Sequence, residues 1–296
     1  MNAHRSSAPS VTSAGVLSPD TLLWQYGCDS RMQLLRGYTG ILQNMLPAIG
    51  TALVDHSAFF RDPFGRLARS TPQVIGSIYA DDDRLAHRIR DYHHHISGID
   101  QHGRRYHALN PDVFWWAHAT FVERIIRTQD LFGTPFTNQQ KDQIVQEGAI
   151  WWASYGLSDR PVIRDYPSFR NYWNTMLDNE LGHNRTTTFA TRTVRQTRIP
   201  APGPVPELLW RIVQSPAIDA MLWITTGALD PRCREILDLS WTERDARRFE
   251  RFQEVVRNVH PLLPVRLRYM EPGRTPLLAS RGEGHQNVPR GGADPR

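Results

Sequence analysis

The sequence predicts an all-α protein, a single multi-helix globular domain, and three observations carry that prediction. Apolar residues recur at three- and four-residue spacing through most of the chain, which gathers them on one face of a helix. Strand-like alternation of apolar and polar residues is hard to find. Helix-starting Asn, Asp and Thr and helix-ending Gly punctuate the periodic stretches. At 296 residues the chain can bury a substantial core, and neither an internal break nor a repeat divides it.

In chain order, residues 1–18 are polar and Ser/Ala-rich, so they read as a disordered N-terminus without the apolar run of a signal peptide. The domain occupies 19–270. Arg31 to Val54 reads as one long helix, bent near Pro47. Phe64 to Tyr79 is another, interrupted or restarted at Pro72. Asp81-Asp82-Asp83 gives an acidic start to a helix running through Ile96, ended by Gly98. Asn110 caps and Pro111 opens a helix reaching about Gln129. Thr137 caps the next, through Tyr155, ended by Gly156. Ser168 to Leu181 follows, with Phe169, Tyr172, Trp173, Met176 and Leu177 on one side. Thr186 to Pro206 reads as a long loop closed by Pro200, Pro202, Pro204 and Pro206. Glu207 to Gln214, Ala217 to Thr226 and Thr242 to His260 complete roughly eight to ten helices around one core. Residues 271–296, rich in Gly, Pro and Arg, read as a disordered tail.

Composition narrows the function classes. Apolar residues make up 40% and charged residues 22%, the balance of an ordinary soluble globular protein, and no apolar run approaches membrane-spanning length. The net charge is +5, but Lys occurs only at Lys141 and the Arg residues are spread along the chain. A nucleic-acid binder gathers its basic residues into one stripe, so that reading ranks last. Cys28 and Cys233 are isolated, without metal spacing. They fit a reducing cytosol, hence a cytoplasmic protein, with a single disulfide as the alternative. No HExxH, Gly-x-Ser-x-Gly, P-loop or GxGxxG is present. Glu180-Leu181-Gly182-His183 has the Glu-x-x-His form of a di-iron site but lacks the second copy such a site needs.

Two segments carry the chemistry. On the helix through Ile96, Leu85, Ile89 and Ile96 form an apolar stripe that His93 shares, whereas His94 and His95 fall on polar faces. A single inward imidazole is a common way to hold a b-type haem, and His93 is the candidate iron ligand; a core histidine bonded to a carbonyl is the competing reading. No Cys-x-x-Cys-His is present, so a haem here is held non-covalently. His118 lies among Phe114, Phe121 and Ile125 and is the second candidate toward the cofactor, as an axial ligand, a pocket wall or a packing element. Arg66, Arg69 and Ser70 lie within about one helical turn and are expected to converge. A buried Arg needs an anionic or strongly accepting partner, such as a propionate or iron-bound oxygen; a salt bridge to Asp55 or Asp62 is the competing explanation.

With these residues in hand, the chain resembles the family of the fungal oxygenase MpaB and the bacterial rubber oxygenase (latex clearing protein), from about Leu35 to Arg268. The resemblance runs through Val54-Asp55-His56-Ser57, Asp62-Pro63, Arg66-Leu67 with Arg69, the helix ending at His93, and Asp100 to Tyr106. It continues through Asn110-Pro111, Trp116-Ala117-His118-Ala119-Thr120, Leu131-Phe132-Gly133 and the closing Leu262-Leu263-Pro264-Val265-Arg266-Leu267-Arg268. It implies an all-α fold around a haem b pocket and, in the best-known members, oxidative cleavage of isoprenoid double bonds with dioxygen. By position, His93 then stands as the proximal iron ligand, and Arg66, Arg69 and Ser70 as the distal cluster. Ser70 stands where Thr is usual, with Thr71 beside it, and Leu46 precedes Pro47 where many relatives carry His. The expected function is a haem-dependent oxygenase acting on a small apolar substrate; the alternative is a non-catalytic haem- or lipid-binding protein.

Overall fold

The computed structural model describes residues 17–201 and 205–282. The described residues form fourteen α-helices and one two-stranded hairpin, so the helical periodicity of the sequence is realised. The disorder expected of the first sixteen and the last fourteen residues lies outside the described ones. Leu17, placed by the sequence in that N-terminal tail, is packed into the core.

The longest buried element is the Pro111–Phe132 helix. The Asn110 side chain accepts from the Asp112 amide at 3.0 Å and Pro111 occupies the first turn, so two of the helix's free donors are dealt with at once. The helix Asn138–Ala153, opened by a reciprocal Thr137–Gln140 capping box, packs against it. Trp115, Trp116, Trp151, Trp152 and Trp173 are all fully buried around this pair, and they give the main core its aromatic character.

Helix breaks decide the rest of the architecture, and four differ from expectation. The stretch expected as one bent helix is instead a 3-10 turn, Ser30–Leu35, then helices Arg36–Met45 and Pro47–His56. Pro47 drives Leu46 into an extended conformation, with φ −73° and ψ 122°. That break frees the Asn44 and Met45 carbonyls, which accept from Asn184 Nδ2 at 2.6 Å and the Gly182 amide at 2.9 Å. Asn184 then caps a helix, Arg185–Thr191, where the sequence predicts only loop. Gly50 makes this meeting possible, since a Cβ there would collide with the Asn184 amide.

The helix expected through Ile96 stops at Asp91, and a turn carries the chain through His95 into strand Ser97–Ile99, which pairs antiparallel with Arg105–His107. Buried Asp100 closes the hairpin by accepting from the His102 and Arg104 amides, local turn chemistry that overrides helix continuation. Conversely, Pro63–Gly76 and Glu207–Ala228 run unbroken through Pro72 and Pro216. Both prolines are exposed, so the carbonyl each leaves free can turn to water. At the C-terminal end, Arg274–Ser280 is helical with Leu277 1% exposed; one anchoring leucine orders a segment that composition reads as tail. No helix among the described residues is long and apolar enough to cross a membrane.

Two apolar clusters result. The main core spans most helices, and a smaller one joins Phe189, Val194, Ile199, Ile218 and Leu222 with Phe59, Phe60 and Phe64.

Candidate functional site

Between those two clusters lies a cavity of about 620 Å³, lined by Ile41, Ile89 and Phe114 from the first and by Phe59, Phe64 and Phe189 from the second. Such a volume accommodates a sizeable organic ligand. Its walls come from the helices Arg36–Met45, Pro47–His56, Pro63–Gly76 and Pro111–Phe132, with contributions from Arg185–Thr191 and Glu207–Ala228. Arg36, Arg66 and Arg124 line it together with His56, His93 and His118, and among the described residues no Asp, Glu or Lys does.

His93 sits just past the end of the Arg84–Asp91 helix, on its last turn, rather than within it. Its Nδ1 lies 2.8 Å from the Ile89 carbonyl, and only an Nδ1–H can make that bond, so the Nδ1–H tautomer is the one this contact favours. Nε2 is left as a lone pair without a hydrogen-bond partner among the described residues, on a ring that lines the cavity. The ring packs edge-on against Phe114, centroids 5.4 Å apart. Burial pushes its pKa below the ordinary imidazole value; the Ile89 carbonyl pulls the other way, and the Arg66 charge adds to the lowering. A neutral imidazole with one nitrogen anchored and the other open is the form that ligates metal. His94 and His95 are exposed, and His94 pairs with Asp91.

The Pro63–Gly76 helix presents the basic group. Asp62 caps it, accepting from the Gly65 amide at 2.8 Å, and Gly65 has no side chain because a Cβ would run into that carboxylate. Arg66 and Ser70, one turn apart, both line the cavity, as does Thr71. Arg66 has neither an ion pair nor a side-chain hydrogen bond among the described residues, while the Ser70 hydroxyl donates back to the Arg66 carbonyl at 3.0 Å. Arg69 departs from the expected convergence. Its side chain is 65% exposed and reaches Asp62 at 3.3 Å; it lies about 60° from Arg66 on the side away from Ser70, just outside the arc of the helix that lines the cavity. The salt-bridge explanation therefore holds for Arg69 and fails for Arg66.

His118 lines the cavity too, but as part of its wall. Nε2 bonds the Gly148 carbonyl at 2.8 Å, and Trp115, Trp151, Trp152 and Tyr155 surround the ring. Burial holds its pKa down to about 4, against a smaller opposing effect of the Gly148 carbonyl.

Sequence reasoning missed Arg36 and Arg124. Arg124 is only 4% exposed, and its guanidinium lies over the Phe121 ring at 5.4 Å. The available signal was position: Arg124 falls three residues after Phe121, on the apolar face that also carries Phe114 and Ala117. Tyr106 and Tyr155 line the cavity as well, and burial raises both phenol pKa values.

Chemically, the cavity offers the open Nε2 of His93, the buried and unpartnered Nδ1 of His118, uncompensated positive charge and apolar walls. Among the described residues, no group of three or more His, Cys, Asp or Glu side chains is placed to hold a bare metal ion. A metal joining His93 would have to bring its other ligands with it.

Residues 24–258 match the family described as ER-bound oxygenase mpaB/B'/Rubber oxygenase, catalytic domain. Two curated relatives, one uncharacterised protein each from Mycobacterium bovis and Mycobacterium tuberculosis, are 24% identical over 241 residues, covering 79% of this chain and 90% of theirs. No solved structure matches the chain.

Proposed function

We propose a function from one premise: the chain belongs to the family of the ER-bound oxygenase mpaB/B' and rubber oxygenase catalytic domains. On that premise it is a haem-b-dependent oxygenase that acts with dioxygen on a small, apolar, isoprenoid-like substrate. The observation that carries the reading is His93, anchored through Nδ1 to Ile89 and open at Nε2 in an acid-free cavity. Porphyrin chemistry suits this donor set, because the macrocycle supplies the four equatorial nitrogens the protein lacks and carries the carboxylates that unpaired arginines attract.

Haem b, when bound, supplies the iron at which dioxygen is activated. His93 would hold that iron, with the Ile89 carbonyl fixing its tautomer and burial keeping it neutral. Arg66 holds a fixed positive charge beside the apolar walls of the cavity and would stabilise negative charge as it builds on dioxygen. Ser70 and Thr71 place hydroxyl groups beside it, and the Phe59, Phe64 and Phe189 rings form an apolar wall for the substrate.

Oxygen uptake by haem-loaded protein, measured across a panel of isoprenoid alkenes with carbonyl products read by mass spectrometry, tests the reading. Uptake matched by cleaved product supports it. Haem bound without uptake on any alkene shifts the assignment to a non-catalytic haem- or lipid-binding protein using the same cavity.

A further inference from the structure

Arg36 and Arg124 stand apart from the groups assigned above. Arg36 opens the Arg36–Met45 helix, and Arg124 lies about ten residues along the Pro111–Phe132 helix from Phe114, the ring against which His93 packs. Ten helical residues correspond to about 15 Å. Both guanidinium groups line the same cavity, and neither makes an ion pair or a side-chain hydrogen bond with any described residue. The Nε atoms of both are buried without a partner, and Arg124 is 4% exposed. Burial lowers the proton affinity of both, and at Arg124 the Arg36 charge adds to the lowering. Glu271, which borders a smaller adjoining cavity with Arg36, is already engaged by Arg274 at 2.8 Å.

Two like charges held together in a buried, acid-free space need an anion. A guanidinium fork matches the two oxygens of a carboxylate, and apolar walls beside it exclude a small hydrated ion in favour of a carboxylate with a greasy body. We propose that Arg36 and Arg124 form a carboxylate-binding subsite at the end of the cavity away from His93. The carboxylate belongs either to the edge of a porphyrin or to an acidic apolar ligand. The subsite goes beyond the oxygenase reading and stands with or without iron on His93.

The test compares acids with their esters on the full-length chain. Palmitate and methyl palmitate are titrated into protein as isolated, and metal-free protoporphyrin IX and its dimethyl ester into protein from haem-depleted culture. The wild type is expected to prefer at least one acid over its ester by about tenfold or more. Arg36→Met and Arg124→Met are each expected to erase that preference while leaving ester affinity unchanged. Preference confined to the porphyrin pair names the cofactor edge as the source, and preference confined to palmitate names an acidic substrate. No acid-over-ester preference in the wild type, including no binding of either acid, overturns the subsite, as does a preference that survives in either variant. Circular dichroism checks that each variant is folded; should Arg124→Met not fold, the wild-type comparison and the half-buried Arg36 variant decide. Since neither probe contains iron, failure here leaves His93 ligation untouched.

Discussion

At position 93 what matters is that one ring nitrogen is committed and the other is not. The Ile89 carbonyl takes Nδ1 at 2.8 Å, and burial keeps the ring neutral. Arg66 and Arg69 show how surroundings separate two chemically identical side chains, one lining the cavity and the other exposed against Asp62. Arg66→Ala is expected to lower oxygen-uptake turnover about a hundredfold or more, whereas Arg69→Ala, which loses an exposed pair with Asp62, stays within a few-fold of wild type. Equal losses in steady-state assays would remove the special role of Arg66. His118 makes a pH prediction. Its folded pKa of about 4 lies below the ordinary 6.5, so below pH 6.5 the unfolded chain takes up a proton that the folded one refuses. Its contribution to stability is therefore intact above the unfolded value and erodes as pH falls from about 6.5 toward 4. Glu123 works in the opposite sense: burial raises it to about 7, so the folded protein keeps a proton that the unfolded chain loses, and its contribution erodes as pH rises from about 4.5 to 7. His118→Gln removes only the first effect. Its urea-unfolding deficit relative to wild type should shrink by roughly 2 kcal/mol from pH 7 to pH 5; an unchanged deficit would show that His118 does not titrate as a buried neutral group.

Among the helices, the start of Pro63–Gly76 controls the site because it aims Arg66 and Ser70. Its cap is a two-residue device: the Asp62 carboxylate accepts from Gly65, and Gly65 makes room for it. Asp62→Ala and Gly65→Ala are each expected to cost about 1 kcal/mol, and the double variant little more than either alone, since both remove the same contact. Full additivity in chemical unfolding would mean that the two act separately. The Asn110-Pro111 and Thr137 starts were legible in the sequence; the Asp62 cap was not, since that helix is expected to begin at Phe64, with Asp62 only an ion-pair partner. The Arg185–Thr191 helix was not legible either, because what orders it is the pair of carbonyls freed at Leu46, about 140 residues away in sequence. Residues 97–107 escaped for a related reason. Two three-residue strands are too short to show alternation, and Asp100 fixes the turn through contacts invisible to a periodicity argument.

For the whole molecule, the helical class follows from apolar spacing alone, but the cavity does not, and His93 reaches it from a turn past the helix end rather than from the helical stripe that spacing described. It exists because two apolar clusters meet without filling the space between them, and no single segment records that seam. Arg36, Arg66 and Arg124 were legible as charges, yet their lack of partners among the described residues depends on where the carboxylates of the fold end up. The same arrangement ties stability to ligand: a cofactor bound in so large a cavity, and not to the unfolded chain, must raise the unfolding temperature in proportion to the logarithm of its free concentration over Kd.

Iron on His93 is the claim on which the chemistry turns, and the absorption spectrum of protein reconstituted with haem b, oxidised and then reduced, tests it most directly. Wild type, His94→Ala and His95→Ala should each retain haem through gel filtration with a Soret band that shifts on reduction, while His93→Ala folds but emerges without it. A Soret band that is absent from wild type, or unaltered in His93→Ala, would contradict the assignment.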